Sequence, residues 1–128
     1  MTGITKTDLP DGFAAMSLTL RIKPVPEDLG TISAAKIWFT LRDTSDNVKL
    51  LKRNDIAGGG AAQVNIIDAT PPDAYFDVIV AKGDTAGMIG KFRYDVVMEG
   101  TDAGGQAYRQ VVAWGDWVLK QPETRAYT

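Results

Sequence analysis

The sequence predicts an all-β protein, an antiparallel β-sandwich of immunoglobulin-like type with about seven strands. Three observations carry this prediction: short runs in which apolar and polar residues alternate, turn-forming residues between those runs, and no sustained helical period. The chain has 128 residues, which suits one domain of ordinary size. A closed β-barrel is the structural alternative, because the same short strands also fit a barrel.

The first two predicted strands alternate with period two. The first places four apolar residues on one face: Met16, Leu18, Leu20 and Ile22. It ends before Pro24 and Pro26, which cannot continue a ladder of hydrogen bonds. The second strand has three inward residues: Ile37, Phe39 and Leu41. Trp38 therefore points to the opposite face.

A turn over residues 43–47 leads into a third strand, Val48 to Arg53, because Asp and Asn bond their own backbone in turns. A loop containing Gly58–Gly60 and a break at Pro71–Asp73 flank the fourth strand. The fourth and fifth strands share an alternating apolar face: Ala62, Val64 and Ile66, then Phe76, Val78 and Val80. The only helix candidate is a single turn near Asp84 to Met88.

The last two strands form the longest predicted hairpin. The sixth strand has four inward residues: Phe92, Tyr94, Val96 and Met98. A glycine-rich loop, Gly100–Gln106, connects it to a seventh strand from Ala107 to Leu119. Gly115 lies inside that strand, and an isolated glycine there predicts a bulge.

Composition excludes several kinds of chemistry. The chain has no cysteine and no histidine, which excludes disulfides, thiolate zinc sites and Ser-His-Asp triads. Its acidic residues fall mostly in predicted turns, and no calcium-loop spacing is present. The net charge of −2 offers no basic field for nucleic acid. Composition does not exclude glycoside hydrolysis, which needs only two carboxylates, but the placement of the acids in turns argues against it. We therefore predict no enzyme, no catalytic residue, no metal site and no cofactor.

The sequence also gives no sign of a membrane or secretion segment. No run approaches the roughly 20 apolar residues that a membrane helix needs. The first residues lack the apolar block of a secretion signal. We expect a soluble protein made in the cytoplasm.

Tryptophans and terminal arms are the candidate interface residues. Trp38, Trp114 and Trp117 either anchor the sandwich core or form an exposed surface for protein contact or sugar stacking. Two arms flank the sandwich of residues 16–120, namely residues 1–15 and 121–128. Each arm is either disordered or docked on a neighbouring subunit. The arm candidates are Ile4, Leu9, Phe13, Arg125 and Tyr127.

One family resemblance covers residues 16–120. The segments Asp84–Gly87 and Gly90–Val96, a glycine-rich turn and a final strand with Gly115 resemble the N-terminal domain of phage baseplate upper proteins and related tail proteins. The strand Ala35–Arg42 fits the same pattern. The resemblance implies assembly into a tail or baseplate and no catalytic residues.

This resemblance implies a non-enzymatic virion protein whose partners are other virion proteins and further copies of itself, without nucleic acid or membrane. Family members often continue into a C-terminal stalk, whereas this chain stops at Thr128. We therefore expect a small component such as an adaptor, a decoration protein or a fibre base. The alternative is a carbohydrate-binding module or receptor-binding domain that uses exposed tryptophans.

Overall fold

The structure is a computed structural model that describes residues 6–22, 30–54, 63–70 and 74–121. The described residues form eight strands and no helix. In chain order the strands are β1 (Gly12–Phe13), β2 (Leu18–Ile22), β3 (Lys36–Arg42), β4 (Val48–Arg53), β5 (Val64–Asp68), β6 (Tyr75–Val80), β7 (Gly90–Thr101) and β8 (Ala107–Lys120). The predicted all-β class is confirmed. Besides the seven expected strands there is an eighth, β1, which comes from the segment predicted to be the N-terminal arm.

The strands form two sheets. The five-stranded sheet has the order β1-β8-β7-β3-β4, and the three-stranded sheet has the order β2-β6-β5. These orders match the G-F-C-C′ and B-E-D arrangements of immunoglobulin domains. Hairpins connect β3 to β4, β5 to β6 and β7 to β8 within a sheet, and the other connections cross between the sheets. The ladders are antiparallel except for β1, which runs parallel to β8. The fold is thus an immunoglobulin-like β-sandwich.

The core lies between the sheets, on the faces that the alternation predicted. Its fully buried side chains include Ile37, Phe39, Leu41, Phe76, Val78, Val80, Val96 and Met98. The Phe39 and Tyr94 rings stack across β3 and β7 with centroids 5.7 Å apart. Burial of one such large apolar side chain contributes about 1.5–3 kcal/mol. The outward position predicted for Trp38 is also confirmed.

Both predicted hairpins are present. β3 pairs with β4 through the turn at residues 43–47, where the Asp43 carboxylate accepts hydrogen bonds from the backbone amides of Ser45 and Asn47. These bonds lower the pKa of Asp43. β7 pairs with β8 through a turn in which Asp102 accepts from the Gly104 and Gln106 amides. Turn formation therefore accounts for both carboxylates.

The single helical turn expected near Asp84 is replaced by two β-turns. The Asp84 amide donates to the Ala81 carbonyl at 3.0 Å, and the Met88 amide donates to the Thr85 carbonyl at 2.9 Å. The buried Thr85 hydroxyl accepts a bond from the Ala15 amide at 2.9 Å. Contacts with other parts of the chain therefore determine the conformation of this connection.

The bulge predicted at Gly115 is wrong in position. Val96 pairs with Ala113 and Val97 pairs with Val111, so Val112 is the extra residue of β8. Gly115 pairs regularly with Tyr94. Glycine is required at position 115 for a different reason, because a Cβ atom there would overlap the backbone of Thr7.

The described part of the N-terminal arm docks on its own sheet. The Thr7 amide donates to the Trp114 carbonyl at 2.8 Å, and the Leu9 amide donates to the Asp116 carbonyl at 2.9 Å. The Leu9 side chain is buried in the core cluster. For residues 6–14, the expectation of disorder or docking on a neighbour is corrected, because the edge of β8 opposite β7 supplies hydrogen-bond partners within the same chain.

Some predicted features lie outside the described residues. They are Ile4, Pro24, Pro26, the Gly58–Gly60 loop, Ala62, the Pro71–Asp73 break, Arg125 and Tyr127.

Candidate protein interaction surface

The solvent-facing side of the five-stranded sheet, here called the outer face, carries a band of apolar side chains. β3, β4, β7 and β8 present outward residues in alternation with the core positions. The band consists of Trp38, Leu51, Val97, Val111 and Trp114. Trp114 is 40% exposed, a large value for the largest apolar side chain.

Strand pairing brings the band together from distant parts of the sequence. Val97 on β7 pairs with Trp38 on one side and with Val111 on the other. Trp114 pairs with Asp95, so it lies in the adjacent row of the same face. The extra residue Val112 keeps both Val111 and Trp114 on the outer face, although they are three positions apart.

Two arginines at one end of the band share a carboxylate. Arg42 and Arg93 lie directly opposite each other on β3 and β7, where like charges repel. Asp46, in the turn after β3, has a φ of 69° and directs its carboxylate at both guanidinium groups. Its Oδ1 lies 3.0 Å from Arg93 Nη2 and 3.7 Å from Arg42 Nε. Asp95 Oδ2 lies 3.2 Å from Arg42 Nη1.

A third arginine flanks the other end. Arg109 Nη1 donates to Glu99 Oε2 at 3.0 Å. Its guanidinium carbon also lies 5.2 Å from the centroid of the Trp38 ring. This cation–π contact partly covers Trp38 and leaves Trp114 as the more exposed tryptophan.

The outer face has a shallow concavity of about 820 Å³ beside Trp114. Its lining combines apolar and charged groups: Arg42, Arg93, Asp95, Val97, Arg109, Val111 and Trp114. Many protein interfaces likewise have an apolar centre and a polar rim. Within the described ranges, no group of three or more metal-binding side chains is found.

The interface candidates predicted from the sequence lie in different parts of the structure. It brings Trp38 and Trp114 onto one face, but Trp117 pairs with Phe92 on the inward side and is 0% exposed. Trp117 Nε1 donates to the Pro10 carbonyl at 3.1 Å, so its polar atom is satisfied in the core. Leu9 is buried beside it, so neither residue is available to a partner. Phe13 is exposed on β1 and lies away from the band.

Sequence reasoning missed the charged part of the surface. Arg42 follows Trp38 at the same alternation, so the pattern indicates an outward position for it, but its partners Asp46 and Asp95 come from a turn and from another strand. Asp46 was interpreted only as a turn residue. The arginines at outward positions of the predicted strands were a possible signal of this charged surface. They indicate it only together with the strand order, which the fold supplies.

The topology and the surface define a class: an immunoglobulin-like β-sandwich with an aromatic and arginine-rich sheet face. No protein-family model and no curated protein matches the chain. Among solved structures, the chain is similar to AggA, the major subunit of aggregative adherence fimbriae type I from Escherichia coli. The identity is 11% over 93% of this chain and 100% of that chain, with a TM-score of 0.35. So distant a similarity carries no argument about function.

No helix in the described part of the chain has the length and apolar character needed to span a membrane.

Proposed function

We propose that this protein is a non-enzymatic structural component of a bacteriophage virion, in the tail, the baseplate or a fibre attachment, and that it binds other virion proteins through its outer face. The observation that carries the binding role is the exposed Trp114 beside Val111, within a rim of ion-paired arginines. Tryptophan and arginine are the residues that most often dominate the energy of protein interfaces.

The three arginines around the apolar band, here called the rim, should lose little conformational entropy when a partner binds. Arg42, Arg93 and Arg109 are already held by carboxylates, and their partners lie on a sheet or a tight turn. A partner therefore meets side chains whose freedom is reduced before binding. The band offers apolar area and the rim offers directional donors, so affinity and orientation come from different residues.

The phage setting is supported by the family resemblance of the Ala35–Arg42 and Gly90–Val96 strands. These segments form β3 and much of β7, the two central strands beneath the outer face. In this proposal the protein is made in the host cytoplasm and becomes part of the particle.

Co-purification with virion proteins tests the proposal. The tagged chain is co-expressed with the products of its neighbouring reading frames, as wild type, Trp114→Ala and Ile67→Ala. Ile67 is the matched control, because it is an exposed apolar residue of the other sheet. We expect capture of a tail, baseplate or fibre protein that Trp114→Ala weakens by about thirtyfold, the effect of losing a hot spot, and that Ile67→Ala preserves. Equal capture by all three, or no virion protein captured, would contradict the proposal.

A second candidate is binding of a carbohydrate or a glycan-bearing receptor in the concavity beside Trp114. The specific observation is an exposed indole next to Asp95 and Arg93, since aromatic faces stack on sugar rings and these polar groups match hydroxyls. A glycan panel read by tryptophan fluorescence tests it, with Trp114→Ala as the comparison. No change for any glycan would exclude this candidate, and a response lost in Trp114→Ala would support it.

A further inference from the structure

We infer that β2 is a pairing edge at which two copies of this chain join antiparallel, β2 to β2, so that their three-stranded sheets become continuous. This surface shares no residue with the outer face. The inference rests on a comparison of the sheet edges, on the apolar surface beside β2 and on the charge pattern of the strand.

The other described edges carry features that discourage pairing. β4 has a register shift beside Leu41 and an inward-pointing lysine, Lys52, bound to Asp84. β5 has a register shift between Ile66 and Asp68. β1 is only two residues long. Short, irregular or charged edges are the usual protection against strand addition.

β2 has none of these protections. Its five residues pair with β6 without a register shift. Across the described ranges, no strand pairs with its other side. Arg21 is its only charged residue, and Asp77 binds that guanidinium through two hydrogen bonds of 3.0 and 3.2 Å. The guanidinium also lies 4.7 Å from the Tyr75 ring, so it is directed over β6 rather than along the free edge.

An apolar surface lies beside this edge. Phe13 and Met16 are 48% and 41% exposed, and both border a groove of about 500 Å³ between β1 and β2. Leu18, which is partly buried, also lines it. A strand added to β2 places its inward side chains over this groove, where they bury apolar area in addition to forming backbone hydrogen bonds.

The charge pattern favours a second copy as the occupant. With a two-fold axis at Leu20, all five residues pair: Leu18 lies opposite Ile22, and Thr19 opposite Arg21, of the other copy. Apolar residues meet apolar residues on the inward face, and no like charges meet. An axis at Arg21 would instead place the two arginines opposite each other, which is unfavourable. The strand is thus self-complementary in the register that pairs all five of its residues.

Two substitutions at one exposed position test this register. Thr19→Glu places a carboxylate opposite Arg21 of the other copy, and Thr19→Arg places a like charge there. Each change occurs twice in a symmetric dimer, so we expect Thr19→Glu to tighten and Thr19→Arg to weaken dimerisation, each by about two- to thirtyfold. Sedimentation equilibrium over a wide range of protein concentration measures the dissociation constants.

Thr101 supplies the matched control, because it is an exposed threonine at the end of β7 in the other sheet. Thr101→Glu and Thr101→Arg should leave the dimer unchanged, as should Trp114→Ala. A wild-type chain that stays monomeric at every concentration overturns the inference. So do shifts of the same sign for both Thr19 variants. Loss of dimerisation in Trp114→Ala would assign self-association to the outer face instead.

Discussion

The carbonyl of Thr7 lies where a side chain of Gly115 would be. This close approach lets the N-terminal segment run beside β8 and donate from Thr7 and Leu9 to the Trp114 and Asp116 carbonyls. In return, Asp8 Oδ1 accepts the Asp116 amide at 2.9 Å. The glycine is therefore a packing requirement of the docked segment.

We expect Gly115→Ala to destabilise the protein by about 1–3 kcal/mol, because the new methyl group displaces the Thr7 backbone. Urea unfolding measures the loss, and hydrogen exchange of the Thr7 and Leu9 amides reports whether the segment detaches. Gly83→Ala is the control, since a Cβ atom there has no neighbour within 4 Å. Equal stability of the two variants would refute the packing role.

A second prediction concerns two tyrosine hydroxyls, one that forms a hydrogen bond within the described residues and one that does not. Tyr94 donates to the Thr7 carbonyl at 2.5 Å, so Tyr94→Phe should cost about 0.5–1.5 kcal/mol. The buried Tyr108 hydroxyl has no hydrogen-bond partner among the described residues, so Tyr108→Phe should be neutral or stabilising. Paired urea melts compare them, and a larger loss for Tyr108→Phe would contradict this assignment.

The surroundings of Tyr94 also predict how stability changes at alkaline pH. Burial, together with the nearby Asp8 charge, raises the pKa of Tyr94 to about 12. A raised pKa means that the folded state holds its proton longer, so this stability is complete below about pH 10 and is lost as the pH rises through about 12. Stability of the wild type should therefore fall more steeply above pH 10 than that of Tyr94→Phe. Parallel pH profiles would disprove the coupling.

At acid pH the relevant group is Asp116. Hydrogen bonds from the ammonium groups of Lys6 and Lys91, at 2.9 and 3.3 Å, lower its pKa. A lowered pKa gives stability that is present above the unfolded-state value of about 3.9 and is lost as the pH falls through the folded-state value. Asp116→Asn should thus be less stable than wild type at pH 7, and the difference should shrink towards pH 2. Thermal melts across this range check it; a constant difference would argue against it.

For the ion pair of Lys52 and Asp84, we expect loss of the aspartate to reduce stability more than loss of the lysine. Their charged atoms are 2.6 Å apart, and the Lys52 side chain is almost fully buried. Although burial opposes it, the bond from Lys52 lowers the pKa of Asp84. Asp84→Ala leaves a buried ammonium without its partner and should cost about 3 kcal/mol. Lys52→Met keeps the apolar stem and should cost less.

The double variant Lys52→Met/Asp84→Ala completes a cycle for this pair. It should be more stable than the sum of the single losses predicts, because no unpaired charge remains. Simple additivity, measured by urea unfolding of the four proteins, would show that the two residues are not coupled.

The apolar alternation was sufficient to predict that β2 to β8 are strands and to predict most of their inward residues. Ile37, Phe39 and Leu41 illustrate why: in a strand with one buried face, a period of two determines which side chains are buried. Met16 is an exception: it was expected on the inward face of the first strand, but it precedes β2 and is 41% exposed, because the strand begins only at Leu18. The same reasoning could not predict β1, since Gly12 and Phe13 pair with Leu119 and Lys120 without any local alternation.

By itself, the sequence determined the sandwich class, most strands and the outward position of Trp38, because alternation and turn chemistry act over a few neighbouring residues. Only the tertiary structure decided the strand order, the burial of Trp117, the extra residue Val112 and the meeting of Arg42 with Asp95. Those features depend on pairings between residues far apart in the chain. The same long-range packing explains Gly115, whose local pattern indicated a bulge while its real neighbour is Thr7.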